Sequence, residues 1–360
     1  MQEAQILRKN ATRFLVAVLI AGSALLLWQQ LRGVSLHDVQ ALVSTLGYRL
    51  PLIVLPYGLV LLLDVLGWRQ CMTTPRYLSL RTLFAIRVST DALLNTIPAG
   101  VAIAEPMRIM MLHRRLRLPV ADATSATLLS KMNIAIAQML FVLLGLLLVL
   151  LHANQHQGIA ALLDSAGGWV TVLPATLLVL AVLSLPYTGP RFTQLLQLLH
   201  RLPVPTLRKQ LSRGERALAE IDGYIGDFAR SNRARFITSL LLFLWGWLLM
   251  AAETWLLLHL LGAEVSISQA IVFEGLASIV KLLFFFIPSG IGAQDLSFVA
   301  MLFAFGVPDA ATVAVAFMLL RRGKELFWAI TGLGVLGFLR PGTDAHTPAQ
   351  QTAMAGEAVS

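Results

Sequence analysis

Ile97-Pro98-Ala99-Gly100-Val101-Ala102-Ile103-Ala104-Glu105 returns 190 residues later as Ile287-Pro288-Ser289-Gly290-Ile291-Gly292-Ala293-Gln294-Asp295. In both copies a proline and glycine interrupt apolar sequence and an acid closes the stretch. The same offset aligns Leu93 with Leu283, Met111 with Met301, Ala121 with Ala311, Ala126 with Ala316, and Lys131 with Arg321. Leucine and alanine matches mean little in an apolar chain. Proline and glycine, however, break helices, and an ionisable side chain in hydrocarbon costs about 2.5–3.5 kcal/mol on insertion scales. The recurrence predicts an internal duplication carrying broken helices, an arrangement that marks transporter sites near the bilayer midplane.

Composition sets the class. Hydrophobic residues make up 57% of the 360 residues and charged residues 13%, about half the charged share of a soluble domain. Mean hydropathy is +0.75. An all-α polytopic membrane bundle follows. Apolar runs near the roughly 20 residues that cross a bilayer lie at about 14–31, 50–68, 120–151, 169–187, 236–262 and 310–339, and two more, 83–112 and 267–305, contain the breaks. The first run follows Arg8, Lys9 and Arg13 and reads as a retained signal anchor, with no persuasive cleavage site. Cys71 is the only cysteine, which excludes an intramolecular disulfide. The net charge of +9 does not point to nucleic acid, because the bases cluster between apolar runs. There they act as topology signals and contacts for anionic lipid heads.

Those basic clusters, at the N-terminus, Arg69–Arg87, Arg108–Arg117 and Arg191–Arg235, are expected to face the cytoplasm, as are both termini. Residues 88–107 then enter from the cytoplasm and turn back near Pro98, whereas 267–305 enter from outside. The repeat is thus expected to be inverted, with two re-entrant hairpins approaching from opposite faces. Non-helical backbone at that depth needs protein or a wet cavity around it. The expected organisation is one transmembrane domain over 1–340, with halves at about 50–151 and 236–339. A cytoplasmic loop at 188–235 reads either as an interfacial amphipathic helix or as a solvated linker, and 341–360 as a disordered tail.

Charges within apolar helices are functional candidates by default. The binding candidates are Pro98, Gly100, Glu105, Arg108 and Lys131 in the first copy, with Pro288, Gly290, Gly292, Asp295 and Arg321 in the second. Asp91, Asn95, Glu274, Lys281 and Glu325 form a secondary set. Helical spacing joins Arg87, Asp91 and Asn95, puts Glu274, Ser278 and Lys281 on one face, and lets Arg321 reach Glu325. Buried pairing that fixes helix register would also account for Arg87 with Asp91 and Glu274 with Lys281. Asp64 and Glu253 have no partner visible in the sequence. Amides freed at the breaks and positive helix ends favour an anionic group such as a lipid phosphate, and arginine adds a forked donor. The acids have three open roles: orienting the arginines, exchanging protons, or binding a cationic head group.

Soluble-enzyme signatures fail on context. Gly332-Leu333-Gly334-Val335-Leu336-Gly337 formally matches a dinucleotide fingerprint but ends an apolar helix with no preceding strand, so close helix packing is the expectation. Gly323-Lys324-Glu325 lacks the rest of a P-loop. His152 and His156 have no third ligand for a metal. No cofactor is expected.

At Pro98-Ala99-Gly100 through Glu105 and Arg108, at Pro288 through Asp295, and at Gly306 and Arg321, the chain resembles the lysylphosphatidylglycerol synthase/flippase transmembrane family. The likeness spans about residues 10–340. Ala102-Ile103-Ala104 replaces a glycine-rich stretch usual in the family, and Asp295 stands where Glu is usual. The resemblance implies an inner-membrane protein that moves, or helps modify, anionic or glycosylated lipids. The soluble aminoacyl-transferring domain of full synthases is not seen after residue 340, so aminoacylation by this chain is not expected. The resulting expectation is a lipid flippase or translocase-like carrier without ATPase activity and not an enzyme. The alternative is an accessory protein presenting lipid to a partner synthase or glycosyltransferase.

Overall fold

The computed structural model describes residues 36–44, 46–72, 78–97, 100–152, 228, 231–283 and 292–339. The apolar run at 14–31, the run at 169–187, nearly all of the 188–235 loop and the C-terminal tail lie outside these residues. Every regular element among them is helical: α1 Leu36–Ser44, a 3-10 turn Gly47–Arg49, α2 Leu50–Gln70, α3 Leu80–Thr96, α4 Val101–Leu116, α5 Val120–His152, α6 Arg233–Leu260, α7 Ile267–Leu283, α8 Ala293–Ala304 and α9 Ala310–Leu339.

Helix lengths divide into two groups. At 1.5 Å per residue, α5, α6 and α9, with 33, 28 and 30 residues, exceed a hydrocarbon core of about 30 Å. The helices flanking the breaks do not. α3, α4, α7 and α8 have 17, 16, 17 and 12 residues. Among the described residues, Gly47–Gln70, Val120–Val149 and Arg233–Leu260 are long and apolar enough to cross a membrane. The centre of α9 is not, because it carries Arg321, Arg322, Lys324 and Glu325. Rows of exposed apolar residues run along the outside: Leu52, Leu55, Leu59 and Leu62 on α2, Ile237, Leu241 and Trp245 on α6, and Leu319, Leu326, Ile330 and Leu333 on α9. Water would not tolerate a belt of that extent on a monomer. Lipid does.

Contacts occur in matching pairs. α3 packs on α9 while α7 packs on α5; α2 meets α3 and α9 as α6 meets α7 and α5; and α4 meets α5 as α8 meets α9. α2 and α6 pack on each other and run antiparallel, since Gly67 lies beneath the Phe243 ring while Gly246 faces Val60 and Asp64. Two apolar cores form: Val65, Trp68, Leu83, Ile86, Leu112 and Ala126 in one, and Ile53 of α2 with Leu257, Phe273, Phe298, Phe317 and Leu320 in the other. In lipid the hydrophobic effect does not drive helices together, so close packing and polar contacts carry the association. The crossing of α9 over α3 shows this. A Cβ on Gly332 would fall 2.4 Å from the Val88 carbonyl oxygen, so this glycine permits the contact. Gly334 and Gly337 face open space, so the packing role expected of the glycine triplet rests on Gly332 alone.

Candidate functional site

The first break follows from local chemistry. A residue before proline is disfavoured in helical geometry, and Ile97 is extended, with φ −104° and ψ 133°, ending α3. Gly100 is buried at the start of α4, and Glu105 follows about one turn in. Its carboxylate lies 2.7 Å from Lys131 Nζ on α5 and 3.2 Å from Arg108 on its own helix. Arg108 is almost wholly buried: it donates from Nε and Nη2 to Thr90 Oγ1 and lies 5.2 Å over the Trp68 ring. A helix neighbour supplies a second cluster. Arg87 pairs with Asp64 at 2.7 Å and Asp91 at 2.8 Å, and Asp91 also accepts from Tyr57 Oη and Asn95 Nδ2.

At the second break Gly292 has φ 86°, a left-handed conformation that any side chain would strain. Its N–H donates to Asp295 Oδ2 at 3.0 Å, so Asp295 caps α8. The same carboxylate accepts from Arg322 Nη2 at 2.7 Å on both oxygens, and Arg322 Nη1 donates to Glu325 at 2.6 Å. Arg321 points elsewhere. It pairs with Glu274 on α7 at 2.6 Å, stacks 4.6 Å over Phe298, and comes no nearer than 3.8 Å to Glu325. Thr254 on α6 also donates to Glu274. Lys324 contacts Glu253 and lies 4.9 Å over the Tyr57 ring, tying α9 to α6 and α2.

The structure therefore brings together most sequence-picked charges but pairs them differently. Glu274 takes Arg321 and not Lys281, since Lys281 lies two turns along α7 and α9 supplies a closer cation. Asp64 and Glu253 gain partners, Arg87 and Lys324, from other helices. Asp295 takes Arg322 instead of Arg321, because consecutive helical residues project about 100° apart. Sequence reasoning left Arg322, Lys324 and Tyr57 out of the site. The i,i+3 spacing of Arg322 and Glu325 carried a signal for the first; Lys324 and Tyr57 had none beyond lying in apolar sequence. Pro98, Pro288 and Gly290 lie outside the described residues.

Chemically, this is an apolar bundle whose interior carries a network of ion pairs beside its helix breaks. Among the described residues there is no group of three or more His, Cys, Asp or Glu side chains suited to a metal ion. The profile of the lysylphosphatidylglycerol synthase TM region matches residues 14–334. The chain belongs to this family. No curated protein and no solved structure matches it. Membership supports a membrane protein with a lipid-related function.

Proposed function

We propose that this member of the lysylphosphatidylglycerol synthase TM-region family is a carrier that moves an anionic or glycosylated lipid across the inner membrane. It uses no ATP and performs no covalent chemistry. The observation that carries the reading is the placement of partly buried ion pairs on both breaks, Glu105 with Arg108 and Lys131, and Asp295 with Arg322. Charges at such depth mark a polar route through an apolar bundle, and irregular backbone there belongs beside a cavity.

The matched contacts and the antiparallel pairing of α2 with α6 support an inverted repeat. An operation exchanging α2 with α6 reverses helix direction, so the two short hairpins reach inward from opposite faces. The termini are cytoplasmic in this arrangement. Polar ties between the halves are scattered: Lys324 to the Tyr57 ring, Trp328 Nε1 to the Val54 carbonyl oxygen at 3.2 Å, Arg115 to the Leu339 carbonyl oxygen at 2.7 Å, Gln138 Nε2 to the Ser278 carbonyl oxygen at 3.4 Å, and Cys71 Sγ with Ser239 Oγ at 3.3 Å.

Purified protein in vesicles containing fluorescent phosphatidylglycerol tests the reading, with membrane-impermeant dithionite reporting outer-leaflet probe. Bleaching beyond the outer-leaflet half, faster than in protein-free vesicles, is the expected result. Bleaching that stops at the outer leaflet in both would overturn the carrier.

A further inference from the structure

Arg108 and Arg321 are natural choices for an anion site, but the structure commits both. Arg108 is held by Glu105, Thr90 and Trp68, and Arg321 by Glu274 and Phe298, with each arginine side chain no more than 7% exposed. Arg87, Lys131, Arg322 and Lys324 are likewise paired with carboxylates. Lys281 differs. Among the described residues it makes no ion pair, and it is exposed.

Its position makes that exposure informative. Seven residues are nearly two full helical turns, so Lys281 shares the face of Glu274, which points inward at Arg321 on α9, and of Ser278, which is buried. Its electrostatic neighbours are Glu325 and Arg321 on α9, Asp91 on α3, and Glu274. An exposed ammonium on an inward face, with charged groups of three helices around it, stands between α3, α7 and α9. Lys281 lies two residues before Leu283, the last residue of α7. The nearby acids do not use the ammonium. Asp91 is held by Arg87, Glu274 by Arg321 and Glu325 by Arg322 at 2.6–2.8 Å, so each already has a cation of its own. Three ammonium donors remain open.

We infer that Lys281 receives the phosphate of a lipid head group between α3, α7 and α9. Resting on the carrier reading, this names the residue and the group it holds. An ammonium suits the task because it is a compact point charge that binds phosphate without a fixed fork, so the head group is held but not locked.

The test is an amine-reactive footprint on the intact wild-type protein. The chain has five lysines, Lys9, Lys131, Lys209, Lys281 and Lys324, which peptide mass mapping separates after acetylation in neutral detergent. Dioctanoyl phosphatidylglycerol is expected to slow acetylation of Lys281 about tenfold, the scale of one charge-assisted hydrogen bond, while uncharged dioctanoylglycerol leaves it unchanged. Lys281→Gln should weaken phosphatidylglycerol binding about tenfold and Lys281→Arg by less than about threefold. Unprotected Lys281, or equal protection by dioctanoylglycerol, would overturn the inference. Equal protection by inorganic phosphate at the same concentration would overturn the lipid assignment in favour of a soluble anion. If Lys281→Gln does not fold, the wild-type footprint decides alone. Protection without vesicle transfer would sink the carrier and keep the binding site, whereas transfer with Lys281 unprotected would do the reverse.

Discussion

Replacing Arg321 by methionine should destabilise the protein more than any surface change, and the structure sets the scale. Glu274 is 2% exposed and its closest cation is Arg321 at 2.6 Å. Of the other nearby cations, Lys324 is engaged by Glu253 and Lys281 forms no ion pair with Glu274. Removing one member of a buried pair costs roughly 3–5 kcal/mol because the other charge stays desolvated. Loss of the stack on Phe298 adds about 0.5–2 kcal/mol, and the remaining Thr254 hydrogen bond recovers about 1 kcal/mol. A net loss near 3–5 kcal/mol is expected for Arg321→Met and a similar one for Glu274→Met. The double variant should come within about 2 kcal/mol of wild type, since apolar replacement of both partners is often neutral. Reversible unfolding in mixed micelles, followed by far-ultraviolet circular dichroism, measures all four corners of the cycle. Losses that simply add, or an Arg321→Met protein within about 1 kcal/mol of wild type, would refute the reasoning and show Glu274 to be solvated.

Other expectations follow from single contacts. Gly332→Val should separate α9 from α3, because the Val88 backbone cannot yield, and lower stability by about 1–3 kcal/mol in the same unfolding assay; Gly334→Ala, facing open space, should not. Tyr57→Phe removes a 2.9 Å donor to Asp91 and should cost about 1–2 kcal/mol, with a wild-type unfolding curve counting against that bond. In a Cys71→Ser background, a cysteine at Arg114 should label from the cytoplasm and one at Glu264 from outside. Both labelling from one side would remove the proposed topology.

How much the sequence disclosed depends on the range of each interaction. Pro98 ends α3 through the conformation of its immediate neighbour, so the break was legible. The Arg87 to Asp91 bridge was legible too, as both lie on one helix four residues apart. Asp64 with Arg87 and Glu253 with Lys324 were not, because their separations of 23 and 71 residues are closed by helix packing that no local spacing encodes. Asp295 shows a subtler failure. The 190-residue offset set it against Glu105, and Lys131 against Arg321, yet in the structure Asp295 takes Arg322. Lys281 was grouped with Glu274 by face, and the face is right. What the spacing could not supply was the arginine from α9 that leaves this lysine without a partner.

Asp295 grips the first amide of α8 with one oxygen and, with both, an arginine on α9. The intervening turn contains two left-handed residues, Gly306 and Asp309, which would ordinarily suggest a joint. With the far ends riveted by one carboxylate, that joint is spliced shut. α8 and the Arg322 turn of α9 are thus fastened on both sides of that joint, and the glycine crossing fastens α9 in turn to α3.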